Sequence, residues 1–147
     1  MKKNYFISIL LTAGIWMLGI YFAVGDFLFF FNAPCLMLTV MPAVFMSLAH
    51  FSVTEIAKSF TAAFKEQVPQ KDVQVALVFF DALQKYILGS AFTGFLLGII
   101  LMLYDITHKG LFGKGVAISL LCILYGAIFI IIVTIPFKAA VLKKQNK

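Results

Sequence analysis

The chain has 147 residues, 63% of them apolar and 12% charged, which allows one domain and excludes an ordinary soluble globule, whose apolar share is about half. The net charge of +6 comes from twelve lysines and no arginine. They sit in short flanks between apolar runs, without a basic stripe interleaved with aromatics, and this excludes a nucleic-acid partner.

Phe6–Val24 is the first apolar run and carries no charge. Its length matches the roughly 20 residues of helix that a bilayer core requires. It exceeds the roughly 7–15 apolar residues of a secretory signal, so the start of the chain is read as a retained span. Pro34–Phe51 is the second run, with Pro42 in its middle and His50 near its end.

The segment 52–85 is polar enough to lie outside the membrane. "SVTE" (Ser52–Glu55) has the form of a capping box. Val53, Ile56, Phe60 and Phe64 then recur at three and four and predict an amphipathic helix. Pro69 is expected to stop it. Asp72 is placed to cap a following helix, in which Val73, Ala76, Leu77, Phe80, Leu83 and Ile87 continue one face into the third run, Tyr86–Tyr104. The fourth run is Val116–Phe137.

These readings give an all-α, polytopic membrane protein with four transmembrane helices and short cytoplasmic amphipathic helices. The lysines set its direction. Lys2 and Lys3 precede span one, Lys58, Lys65, Lys71 and Lys85 lie between spans two and three, and Lys138, Lys143, Lys144 and Lys147 follow span four. Only Lys109 and Lys114 fall on the other side, so the positive-inside rule puts both termini and residues 52–85 in the cytoplasm.

Spans three and four carry small residues at helical spacing: Ser90, Gly94 and Gly98 with Thr93 beside them, and Gly115, Ser119, Cys122 and Gly126. Close backbone approach through small residues is the usual means of helix association in lipid. Two readings follow. Either the third and fourth helices pack on each other, or both line an interface around another helix. No span carries an Asp, Glu, Lys or Arg at its middle, which argues against a self-contained pump. Asp26, Asp105 and His50 read as solvated boundary residues. Cys35 and Cys122 lie in different runs, form no CxxC and read as buried small side chains. With no nucleophile–base pair, phosphate loop or metal cluster in the sequence, neither an enzyme nor a cofactor is expected.

Three stretches resemble the MotA/TolQ/ExbB proton-channel family, the MotA-like branch above all. "GDFLFFFNAPCLMLTVMPAVFMSLAHFS" (Gly25–Ser52) is similar to that branch's entry into span two, with Asn32, Pro34 and Cys35 at its Asn/Asp-x-Pro-Ser element. "GFLLGIILML" (Gly94–Leu103) is similar to its Gly-rich third span. "AISLLCILYGAIFIIIVTIP" (Ala117–Pro136) is similar to its fourth, with Tyr125-Gly126 at its Tyr-Gly and Pro136 at its late proline.

The resemblance implies a bacterial inner-membrane subunit of a proton-driven motor or energy-transducing complex. Its copies would form a pentamer-like ring around a one-span MotB-, TolR- or ExbD-like partner whose Asp carries the proton. Ser90, Thr93, Gly94, Gly98, Ser119, Cys122, Gly126 and Pro136 would then face the ion pathway or the partner. The alternative is a non-conducting structural or assembly protein of the same fold. The chain departs from the family in three ways. About thirty-five residues replace a large cytoplasmic insertion. Phe95 and Cys122-Ile123 stand where relatives carry hydroxyls. The expected third-span proline is missing. Hard cations prefer oxygen ligands, so the lost hydroxyls favour protons over sodium.

Overall fold

The computed structural model describes residues 2–23, 30–65, 67–104 and 109–145, and every long element among them is helical. The helices are α1 (Lys2–Ala23), α2 (Ala33–His50), α3 (Val53–Phe64), α4 (Gln70–Tyr104), α5 (Lys109–Phe129) and α6 (Ile135–Gln145), with a π-helical turn at Ile130–Thr134 between the last two. Asp26, Glu66 and Asp105 lie outside the described residues. The chain divides into two units, Met1–Asn32 and Ala33–Lys147.

Among the described residues, three stretches are long and apolar enough to cross a membrane: Ala33–His50, Gln70–Tyr104 and Phe112–Gln145. In the first unit the apolar helical stretch Ile7–Gly19 is shorter, within the 22-residue α1. Leu10, Leu11, Ile15, Leu18 and Phe22 of α1 are all exposed. A helix apolar on every side needs a nonaqueous surrounding.

In the second unit α4 is the central post. At about 1.5 Å per residue its 35 residues extend roughly 50 Å, well beyond the roughly 30 Å of a bilayer core. One of its ends packs with α2 and α5, the other with α3 and α6. The capping box forms as read: the Ser52 hydroxyl accepts from the Glu55 N–H, and a Glu55 carboxylate oxygen accepts from the Ser52 N–H. These bonds hold the Glu55 carboxyl below its usual range, the backbone bond first. A 12-residue helix is marginal alone, so α3 depends on the face it buries.

That face is built around aromatic rings. Phe60 meets Phe79, Phe80 and Phe137 at centroid distances of 5.8, 5.4 and 5.3 Å, each edge to face. Edge-to-face contact sets the positive ring edge against the negative face of its neighbour. Val73, Ala76, Phe80, Leu83 and Ile87 are buried and Leu77 packs against them, so the predicted stripe of α4 is the observed one, with Phe79 added.

Three local expectations differ. α3 ends at Phe64, with Lys65 extended as its C-cap, well before Pro69. Pro69 instead supplies the first carbonyl of α4, accepting from the N–H groups of Asp72 and Val73. Asp72 therefore lies inside the first turn, where its charge suits the helix dipole, and does not cap it. Val53, the first residue of α3, is exposed and stands outside the buried stripe.

Pro136 explains the π turn. It has no N–H, and its ring would strike the carbonyl four residues earlier in a regular α-helix. The chain widens there instead, and the Ile135 N–H donates to the Ile130 carbonyl five residues back. α5 and α6 thus run on as one rod.

Candidate functional site

The small residues of α4 and α5 meet in an antiparallel seam. A Cβ added at Gly94 would lie 2.6 Å from Cys122 Sγ, and one at Gly126 would lie 2.6 Å from the Ala91 Cβ. At Gly98 the obstacle is the backbone of α5, with the Ser119 nitrogen at 2.6 Å and the Gly115 carbonyl oxygen at 2.8 Å. The Ser119 hydroxyl is 2.9 Å from the Gly115 carbonyl of its own helix and 3.1 Å from the Phe95 carbonyl across the seam. Gly94, Gly98, Ser119, Cys122 and Gly126 therefore come together, and what they touch is the neighbouring helix of the same chain.

The other three candidates lie apart. Ser90 and Thr93 line a groove between α4 and α2, and the Thr93 hydroxyl donates to the Gly89 carbonyl at 2.9 Å. Pro136 is half-buried in the first turn of α6.

α2 covers one side of the seam through a row that the sequence reading passed over. Cys35, Thr39, Ala43 and Ser47 recur every fourth residue and are its buried positions. The Thr39 hydroxyl donates to the Cys122 carbonyl at 3.5 Å, and the Cys35 thiol lies 3.8 Å from the Ile118 carbonyl. The Cys122 thiol in turn is 3.9 Å from the Cys35 carbonyl, so the two cysteines are neighbours. Spacing by fours was the available signal, obscured by Thr39 and Ser47 being polar.

Among the described residues of the second unit, no other helix packs along the opposite side of the seam, which is open within that unit. At about 100° per residue, Leu88, Phe92, Phe95 and Ile99 fall on that side of α4, and Val116, Leu120, Ile123 and Ala127 on that side of α5. Leu88, Phe92 and Leu120 are 60%, 55% and 61% exposed. All eight side chains are apolar. Phe95 and Ile123 both belong to this face.

At the lysine-bearing end, Lys138 and Lys85 share the Asp81 carboxylate at 2.7 and 2.8 Å. Their hydrogen bonds, Lys138 first, hold its carboxyl down at about 2, and the same pairing raises Lys85. Lys144 donates to the Ala62, Ala63 and Lys65 carbonyls and so closes the end of α3 from α6. Among the described residues no cluster of His, Cys, Asp and Glu could hold a metal ion. The Thr134 hydroxyl, in the π turn, is buried without a partner among them. Comparison of the chain with family models, curated proteins and solved structures gave no match.

Proposed function

We propose that the chain is a membrane subunit of a proton-driven motor or energy-transducing complex similar to the MotA/TolQ/ExbB family. Its copies ring a one-span MotB-, TolR- or ExbD-like partner. In this reading α1 is the fourth span, the lysine-rich side is cytoplasmic and the membrane is the bacterial inner membrane. The observation that carries it is the open face of the α4/α5 pair. Eight apolar side chains there offer a surface for a helix or for lipid, and no group that could hold a proton. Charge crossing beside that face must ride on a carboxylate the partner supplies. The Gly and Ser seam then has a supporting role, holding α4 and α5 together as one stiff wall.

The test is proton flux in vesicles, read with an internal pH dye. The chain alone leaves permeability unchanged, and the chain with its one-span partner raises it. Asn in place of the partner's membrane Asp abolishes the rise while the complex stays assembled. Leu120→Trp on the open face lowers the flux, whereas Val44→Trp, on an exposed position of α2, does not. Proton leak from the chain alone, or none with any partner, overturns the conducting reading.

A non-conducting scaffold of the same fold is the second reading. It is favoured by the hydroxyls of Thr93 and Ser119, both of which donate to carbonyls of their own helices.

A further inference from the structure

The groove between α2 and α4 encloses about 310 Å³, at the lower end of the roughly 300–1,000 Å³ of small-molecule sites. Leu38, Pro42 and Met46 form one wall, and Lys85, Tyr86, Gly89, Ser90, Thr93 and Gly94 the other. Its polarity is graded along its length. Lys85 stands at the mouth with its side chain 75% exposed, and the Tyr86 ring lies 5.8 Å from that of His50 at the same level. Beyond them the α2 wall is apolar and the α4 wall is made of small residues, whose polar groups are the hydroxyls of Ser90 and Thr93, that of Thr93 turned back onto the Gly89 carbonyl. At the Gly94 end the helices draw together, a Cβ there lying 2.6 Å from Cys122 Sγ and 3.8 Å from the Leu38 Cβ.

Depth decides between occupants. From Lys85 to Gly94 the helix rises about 13 Å, close to one leaflet, half of the roughly 30 Å hydrocarbon core. A partner's transmembrane helix would need a channel running the full thickness. A phospholipid needs one leaflet of apolar wall and a cation at its headgroup. The mouth supplies the cation: two ammonium groups, Lys85 and Lys138, share the single carboxylate of Asp81, leaving net positive charge. Aromatic side chains at that level suit the headgroup boundary.

We propose that this groove binds the acyl chain of one anionic phospholipid from the leaflet on the lysine-rich side, with its phosphate against Lys85. The proposal rests on the chain spanning a membrane, as its three long apolar helices indicate, and is independent of ion conduction.

Native mass spectrometry of the full-length protein in detergent tests it, with phosphatidylglycerol and phosphatidylcholine of identical chains as probes. One phosphatidylglycerol should be retained about fivefold more tightly than phosphatidylcholine, the weight of one lysine near an anionic surface. Lys85→Gln should bring that ratio close to unity. Gly89→Leu should remove the retained lipid, because a Cβ there meets nothing within 4 Å and the added side chain fills the groove without disturbing the fold. Gly113→Leu, equally unobstructed, should keep it. Equal retention of the two lipids by the unaltered protein, or an undiminished adduct in Gly89→Leu, overturns the proposal. So does occupation by a helix of another polypeptide, which would show no headgroup preference. Resistance to alkaline extraction from membranes tests the spanning separately, so either can fail alone.

Discussion

Gly98 is where one methyl group has the largest consequence. Its obstacles are the Ser119 nitrogen and the Gly115 carbonyl, backbone atoms that cannot swing aside as a side chain can. Gly98→Ala must push α5 away, at an expected loss of about 1–3 kcal/mol. Gly113→Ala, in open space on α5, should be neutral or gain up to roughly 1 kcal/mol from helix propensity. Thermal unfolding in detergent, followed by circular dichroism, compares the two. Equal melting temperatures would mean that the seam is looser than its geometry. The same reasoning separates fold from assembly: a bulky residue at Gly94 or Gly126 would strike Cys122 or Ala91 inside the chain before it reached any second subunit.

The helices at the lysine-bearing end depend on one another. α3 is short, its stripe is covered by α4 and α6, and its last carbonyls are closed by Lys144. Asp81 ties α4 to α6 through Lys138. Because its carboxyl is held down at about 2 from an ordinary 3.8, the stabilisation is fully present above pH 3.8. It is lost as the pH falls from there towards 2. Asp81→Asn should therefore lower the melting temperature slightly at pH 7 and remove part of the acid dependence between pH 4 and 2. Glu55 is also depressed and remains in both proteins, so the difference between their pH profiles isolates Asp81. The pair is half-exposed, and added salt should shrink that difference. Profiles that coincide would show that the tie between α4 and α6 carries no stability.

For the whole molecule, the lysine distribution predicts an orientation that is open to direct test. With Cys35 and Cys122 replaced, a cysteine at Asn32 should react with an impermeant thiol reagent added outside cells, and one at Gln67 should not. Labelling at position 67 from outside would reverse the topology and move the lipid groove to the other leaflet. The measurement also bears on α1. If Asn32 is outside and an N-terminal tag is inside, α1 crosses the membrane.

Apolar runs, lysine flanks and the capping box were legible in the sequence because each depends on neighbours within a few residues. Composition determined the nonaqueous surrounding, and periodicity determined that α4 would carry one apolar face from its first turn into the apolar run Tyr86–Tyr104. What only the tertiary structure decided was where the small residues point. A Gly at spacing four permits close approach without naming the partner, and here α5 takes up Gly94 and Gly98 while α2 covers Cys122 through Thr39. That packing leaves Phe95 and Ile123 on the open face and Ser90 and Thr93 in a groove between α2 and α4. The π turn was equally beyond local reading: Pro136 signals a break in an isolated helix, but packing against α4 holds the chain helical across it.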